Sequence, residues 1–357
     1  MTTVVRPAPG AAAGPDRPLS VPRTEPFPDG PLRDRRLGRA HRDLRVSVTD
    51  RCPLRCSYCL PAEGIPWLPA RSLMTAAEIV RAVGLATGLG LVNVRLTGGE
   101  PLARPDLVEL VAGIVDLPAA PAVSLTTNGV GLADVAGPLA RAGLGRVNVS
   151  LDSVDRLRYA AVTGRDRLGL VLEGLEAARE AGLEPIKINA VLLPGVNDGD
   201  AEELLAFALA RGFELRFIEQ MPLDGGRLWR RDRMISAAAI LERLGASHRL
   251  TALPETTTAP AARWLVDDGP GTVGVIAAVT RPFCARCDRV RLTADGQLRG
   301  CLFSDAESDL LGAMRAGASD AELSQIFRLC VADKPAGHGI GRPGFRPPRR
   351  PMSAIGG

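Results

Sequence analysis

Three thiols fall within eight residues, in the run Cys52-Pro53-Leu54-Arg55-Cys56-Ser57-Tyr58-Cys59. The spacing C-x3-C-x2-C wraps three thiolates around three corners of an iron–sulfur cube. The fourth iron then has no protein ligand in the loop and is open to another molecule. Such a corner suits chemistry on a bound ligand better than simple electron transfer. A structural zinc ion takes all four ligands from the protein, usually from paired C-x2-C units.

A second set lies far along the chain at Cys284, Cys287 and Cys301, spaced C-x2-C-x13-C. Three thiols again suit a [4Fe–4S] cube with one open iron. Spacing alone leaves open a zinc site completed by Cys330 or a distant histidine. Cys330 shares a helical pattern with Leu323, Ile326, Phe327 and Leu329, and reads as core packing. Arg286, Arg289 and Arg291 crowd the second set. They would offset cluster charge or hold an anionic substrate, unless they form a solvated basic edge.

The elements that must position these thiols follow from periodicity. From Asp43 onward, strand and helix patterns alternate. Strands are expected at Leu44–Thr49, Val92–Thr97, Val123–Thr126, Val147–Asp152, Ile186–Val191 and Glu214–Ile218. Thr75-Ala-Ala-Glu78 predicts a capping box opening the first helix, which Gly88 and Gly90 stop. Further helices are expected near Pro105–Val115, Leu132–Ala142, Arg167–Ala181 and Ala201–Ala210. Six strands alternating with helices predict a parallel α/β sheet, best fitted by a partial (β/α)6 barrel. A smaller α+β domain carrying the second cysteine set should close it. The expected divisions are a disordered extension over 1–36, the barrel over 37–250, the second domain over 251–340 and a flexible tail over 341–357.

Successive strand residues face opposite sides. Helices cover the outside, so the apolar faces belong there and the polar faces converge inward. Arg45, Arg95, Lys187 and Arg216 then share one lumen. Gathering them is costly without an anion to bind, and a polyphosphate is the natural candidate. Single cations among them would instead pair with carboxylates or sit at solvated strand ends.

Charge elsewhere is less informative. The net charge of +4 divides into +3 over residues 1–44, +4 over 333–357 and −3 between them. The basicity lies in Pro- and Gly-rich ends, which read as solvated tails rather than a specific nucleic-acid surface. No apolar run approaches the roughly 18 residues that span a membrane, and no signal peptide is evident. Six of the seven cysteines fall in two sets, as metal binding in a reducing, cytoplasmic setting would have it.

Smaller motifs line up behind the strands. Thr97-Gly98-Gly99-Glu100-Pro101 lets backbone approach a ligand closely. Thr126-Thr127-Asn128-Gly129 brings hydroxyls and an amide to a strand end. Ser150 and Asp152 end the fourth strand, and Met221 follows the sixth, placed to pack on a flat ring or in the core. Ala354-Ile355-Gly356-Gly357 ends in two residues without side chains, able to thread a narrow space or to fray.

The cysteine loop resembles the radical S-adenosylmethionine (SAM) superfamily. Leu-Thr-Gly-Gly-Glu-Pro-Leu, Val-Ser-Leu-Asp-Ser, Lys-Ile-Asn-Ala-Val, Phe-Cys-Ala-Arg-Cys-Asp-Arg-Val-Arg-Leu and the final Gly-Gly narrow the resemblance to the molybdenum cofactor biosynthesis protein A family of GTP 3',8-cyclases. That resemblance implies two [4Fe–4S] clusters and SAM as cofactors. Cys52, Cys56 and Cys59 would hold the SAM cluster, and Cys284, Cys287 and Cys301 the auxiliary one. Tyr58, Gly99, Ser150 and Met221 would contact SAM. Arg45, Arg95, Thr126, Lys187, Arg289 and Arg291 would contact GTP, and Gly356 and Gly357 would assist the radical step. A 5'-deoxyadenosyl radical would take the C3' hydrogen of GTP, giving 3',8-cyclo-7,8-dihydro-GTP. The implied partners are a small electron donor such as flavodoxin or ferredoxin and a downstream pterin synthase, with a homodimer allowed and no membrane. The rival reading is another radical SAM enzyme with an auxiliary cluster and a different substrate. A zinc-stabilised nucleic-acid-binding protein explains neither both spacings nor the inward cations.

Overall fold

The alternation of apolar and polar residues resolves into one sheet wrapped by helices. The structure, a computed structural model, describes residues 30–61, 63–255 and 257–356. The strands of the first half are β1 (Asp43–Ser47), β2 (Asn93–Thr97), β3 (Ala122–Thr127), β4 (Arg146–Ser150), β5 (Lys187–Ala190) and β6 (Glu214–Ile218). Between them run α1 (Ala76–Gly88), α2 (Leu107–Val115), α3 (Leu132–Arg141), α4 (Arg156–Thr163), α5 (Leu168–Glu180) and α6 (Ala201–Ala210). The six strands are parallel and adjacent in chain order, as expected. Helix α4 was not foreseen; Asp155 caps it by accepting from the Arg158 N–H, and Gly164 ends it at φ 68°.

The second half does not stand beside this sheet but extends it at both edges. It contributes α7 (Ala237–Ser247), β7 (Leu250–Ala252), β8 (Ala262–Val266), β9 (Thr272–Ile276), β10 (Arg289–Leu292), β11 (Gln297–Arg299), β12 (Ser308–Asp309), α8 (Leu310–Arg315), α9 (Asp320–Ala332) and α10 (Met352–Ile355). Strand β9 adds parallel to β6, and β10 adds parallel to β1. The order is β12-β11-β10-β1-β2-β3-β4-β5-β6-β9-β8-β7. Short strands of four or five residues gave no sign in the sequence of which edge they would join.

The apolar strand faces pack outward under the helices. Leu44, Val46, Val94, Leu96, Val147, Val149, Leu215 and Phe217 are fully buried in one core with Ile79, Val83, Leu110 and Ile114. Each such side chain stabilises the fold by about 1.5–3 kcal/mol. The opposite faces turn inward, and residues from β1 to β6 and β10 line one cavity.

Helix α1 begins as predicted. Thr75 Oγ1 accepts from the Glu78 N–H at 3.2 Å, and Glu78 Oε2 accepts from the Thr75 N–H at 2.8 Å. Glu78 also takes Arg315 from the end of α8, at 2.7 and 3.0 Å. The Arg315 guanidinium holds the Glu78 carboxyl down to about 2. A depressed carboxyl contributes stability above its ordinary range and loses it as pH falls toward the folded value. Glu78→Gln is therefore expected to cost about 1 kcal/mol at pH 7, with the difference vanishing as pH approaches 2. Urea midpoints of the two proteins at pH 7 and pH 3 check this.

Two expected boundaries shift. Residues 1–29 lie outside the described residues, but 30–36 do not follow the expected disorder. Leu32 is buried in the core, and Asp34 accepts from the backbone of Arg36, Leu37 and Arg39. The tail expected to be flexible over 341–357 contains α10, with Ile355 fully buried. An apolar side chain with room in the core outweighs the Pro- and Arg-rich composition around it.

Candidate functional site

The first cysteine loop follows β1 and is fixed by its backbone. The Arg55 N–H donates to Thr163 O at 2.8 Å and the Ser57 N–H to Val162 O at 3.0 Å. The Cys59 and Leu60 N–H groups both return to Cys56 O. Gly98 and Gly99 brace the loop from β2. A Cβ on Gly98 would lie 2.5 Å from Thr49 O, and one on Gly99 2.4 Å from Asp50 O. The Gly99 N–H donates to Thr49 O and the Glu100 N–H to Arg51 O, each at 2.7 Å. The glycines let this backbone touch the chain's own loop, which is a second reason for them beside close approach to a ligand.

Glu100 is buried and accepts from Thr127 Oγ1, the Asn128 N–H and the Leu102 N–H. Burial pushes its carboxyl up to about 7 against those bonds. Asp152 is likewise buried; it accepts from the Tyr58 hydroxyl and the Val191 N–H, both at 2.8 Å. Burial raises its carboxyl to about 6.

The thiols suit iron–sulfur clusters. All six are free and partly exposed. Burial pushes Cys52 up to about 11 and Cys59 to about 12. Three thiols at such close quarters ionise together only beside a cationic core that offsets their charge. Asn128 Nδ2 stands 3.7 Å from Cys52 Sγ, a donor for a charged sulfur. At the second triad burial raises Cys287, but Arg289 and Lys334 overcome it and hold the thiol below its ordinary value. Lys334, itself buried, donates to Cys287 Sγ at 3.4 Å and to Arg289 O at 2.6 Å. Among the described residues no three His, Cys, Asp or Glu side chains converge as ligands of a single metal ion. Cys330 packs against the main core on α9, as expected.

One cavity of about 260 Å³ joins the two regions. Tyr58, Ser150 and Met221 line it, as do Arg45, Arg95, Thr126, Arg289 and Arg291. Cys284, Cys287 and Cys301 lie in the same wall. Lys187 is not among the lining residues, contrary to the inward reading of its strand face. It pairs with Glu214, its register neighbour on β6. Gly99 braces the loop, and Gly356 sits at the strand tips. A Cβ there would lie 3.0 Å from Thr97 Cγ2 and 3.1 Å from Ser47 Cβ. Gly357 lies outside the described residues.

Register explains the charge of this cavity. Arg45 is paired with Arg95 on β2 and with Arg291 on β10, and Arg291 with Arg299 on β11. Like charges directly opposite are unfavourable. Glu307 neutralises Arg299, whereas among the described residues Arg45 has only Asp43, at 3.7 Å. Burial, then neighbouring arginines, lower Arg45 to about 9, and burial lowers Arg95 and Arg216 to about 10. Among the described residues, the buried Nε atoms of Arg45, Arg95 and Arg216, and Nη2 of Arg289, have no hydrogen-bond partner. Each such orphan costs about 1–3 kcal/mol. The arrangement is a preformed socket for a multiply charged anion.

Sequence reading left several lining residues out of the site. Arg216 counts among the inward cations that call for an anion but is not among the GTP contacts that the resemblance implies; its Nη2 donates to Asn148 Oδ1 at 2.9 Å. Asn189, Phe283, His338 and Met352 also line the cavity. His338 packs edge-on to Phe303 at 5.0 Å, and Arg289 lies over Phe283 at 4.7 Å. Alternation on β5 puts Asn189 on the inward face with Lys187; nothing local marks Lys334 or Met352.

Comparison with known proteins accounts for both halves. Residues 46–208 match the Radical SAM superfamily, and residues 213–340 match Molybdenum Cofactor Synthesis C. The chain is 55% identical over 335 residues to the GTP 3',8-cyclase of Mycobacterium marinum, covering 92% of this chain and 93% of that one. It is 55% identical over 323 residues to the GTP 3',8-cyclase of Streptomyces coelicolor, covering 90% and 95%. Among solved structures, Streptococcus suis SuiB bound to S-adenosylmethionine shares the fold at TM-score 0.55 and 15% identity. It covers 74% of this chain and 62% of that one. A Cys284, Cys287 and Cys301 triad in the wall of an arginine-lined cavity, a second triad after β1 and the sequence identity over most of the chain place it in the GTP 3',8-cyclase family.

Proposed function

We propose that this cavity binds GTP and converts it to (8S)-3',8-cyclo-7,8-dihydroguanosine 5'-triphosphate, the first step of molybdenum cofactor biosynthesis. The observation that carries the reading is the row of register-paired arginines with orphaned donors at one cavity. Arg45, Arg95, Arg289 and Arg291 hold the triphosphate and Thr126 a ring or ribose oxygen. Arg216 joins them, and Lys187 is left to Glu214. Cys52, Cys56 and Cys59 hold the SAM cluster; Cys284, Cys287 and Cys301 hold the auxiliary cluster beside the guanine. Tyr58, Ser150 and Met221 contact SAM, and Gly99 keeps the cysteine loop and the SAM-side backbone in place. The clusters and SAM supply one-electron chemistry that removes a hydrogen atom from an unactivated carbon.

The chain's own task is position and shielding. Like-charged arginines held ready by the sheet need no reorganisation when the anion arrives. The Tyr58–Asp152 hydrogen bond fixes the aromatic ring before the third cysteine. Gly356 closes the strand tips, with its carbonyl accepting from Arg291. A small electron donor such as flavodoxin or ferredoxin feeds the first cluster, and a pterin synthase takes the product.

The test is 5'-deoxyadenosine formation by anaerobically reconstituted protein with SAM and a strong reductant. GTP is expected to stimulate it strongly. Cleavage indifferent to GTP would keep the radical SAM assignment and remove the substrate. No cleavage, in protein with verified iron and sulfide, would remove both.

A further inference from the structure

Helix α10 has four residues and cannot hold its own place, since an isolated turn is unstable in water. Yet it sits between the two halves of the site. The Met352 side chain lines the cavity. The Met352 N–H donates to Leu223 O at 3.1 Å. Gly356 carries its carbonyl to Arg291. Something outside the segment must fix it.

Just before it, Arg350 is gripped by two carboxylates. Its Nη1 and Nη2 meet Asp295 Oδ1 and Oδ2 at 3.0 and 2.9 Å, a bidentate fork. The same Nη2 reaches Glu307 Oε2 at 3.0 Å, and Nε stands 2.8 Å from Glu307 Oε1. All three side chains are mostly buried, at 15%, 17% and 6% exposed. Glu307 also holds Arg299, which belongs to the arginine row. The neighbouring Arg349 N–H donates to Asp305 Oδ1 at 2.8 Å. At the end of the helix turn, Ile355 is fully buried.

We propose that Arg350, held by Asp295 and Glu307, is a positioning residue: a latch that seats residues 352–356 between Leu223 and Arg291. It does not line the cavity and acts through Met352 and Gly356. The proposal rests on the functional reading for its effect on turnover, but not for its effect on the segment.

Arg350→Met removes the fork and with it the cation that Asp295 faces. Asp295 keeps the Thr293 hydroxyl at 2.6 Å, and Glu307 keeps Arg299. Arg350→Lys retains the charge but not the fork. Hydrogen–deuterium exchange by mass spectrometry on loaded, anaerobic protein reads the amides of 352–356. The Met variant is expected to exchange there at least about tenfold faster than wild type, with other segments unchanged. GTP-dependent 5'-deoxyadenosine formation should fall at least about tenfold in kcat, while the GTP Kd stays within about twofold. The Lys variant should recover part of both losses. Unchanged protection in the Met variant would overturn the latch. Faster exchange with unchanged kcat would overturn its positioning role. If wild type ignores GTP, the functional reading fails instead, and the exchange comparison alone still decides whether Arg350 seats the segment.

Discussion

Cys56→Ala should lose SAM cleavage by more than about 100-fold, beyond what removal of an outer partner of a metal ligand costs. The loop backbone is held by Thr163, Val162 and Cys56 O, none of which needs the sulfur. The variant therefore keeps its fold while losing one corner of the cube. Its iron should drop to roughly half, because the second triad is untouched. Cys287→Ala should do the reverse. It should keep SAM cleavage and lose cyclised product, since Cys287 lies in the cavity wall with the arginines. Iron analysis and 5'-deoxyadenosine assays on both variants check the pair. Full SAM cleavage by the Cys56 variant would sink the ligand assignment.

Arg291→Met should move two properties in opposite directions. Arg291 is 4% exposed and lies between Arg45 and Arg299 in register. Burial, then Arg45 and Arg289, push its pKa well down. In the empty site that charge is a strain, so its removal should raise the denaturant midpoint of ligand-free protein. The same charge should serve the triphosphate when GTP binds. A charge-assisted bond contributes about 1.5–3 kcal/mol, so GTP affinity should fall roughly 10- to 100-fold. SAM binding without GTP should hardly change. Calorimetric titration and urea melts decide it. Loss of stability together with unchanged GTP affinity would return Arg291 to a structural role.

Much of this site was legible because period and spacing are local properties. The six parallel strands, the Thr75 capping box and both cysteine triads can each be read within a short stretch of chain. The inward cations were legible too, because strand faces alternate; Arg45, Arg95 and Arg216 all reach the cavity. Lys187 obeys the same alternation and still misses it. Its partner Glu214 is set by the register of β5 on β6, a relation between distant segments. Arg350 shows the same limit from the other side. It looked like one more solvated arginine in a basic tail, and only the folded chain brings Asp295 and Glu307 to it. Gly98 and Gly99 were read as room for a ligand, and their tight contact with Thr49 and Asp50 needed coordinates.

The placement of β9 and β10 has a consequence for how the protein is made. The six central strands form a consecutive block, but neither β1 nor β6 has a partner on its outer side until residues 272–292 arrive. A partly synthesised chain therefore carries two open strand edges, each a template for pairing with another molecule. Pairing β10 with β1 joins segments more than two hundred residues apart, the kind of contact that forms late and slowly. Fragments that stop after β6 are consequently aggregation-prone, and expression of the radical SAM half alone should yield inclusion bodies where the longer chain stays in solution.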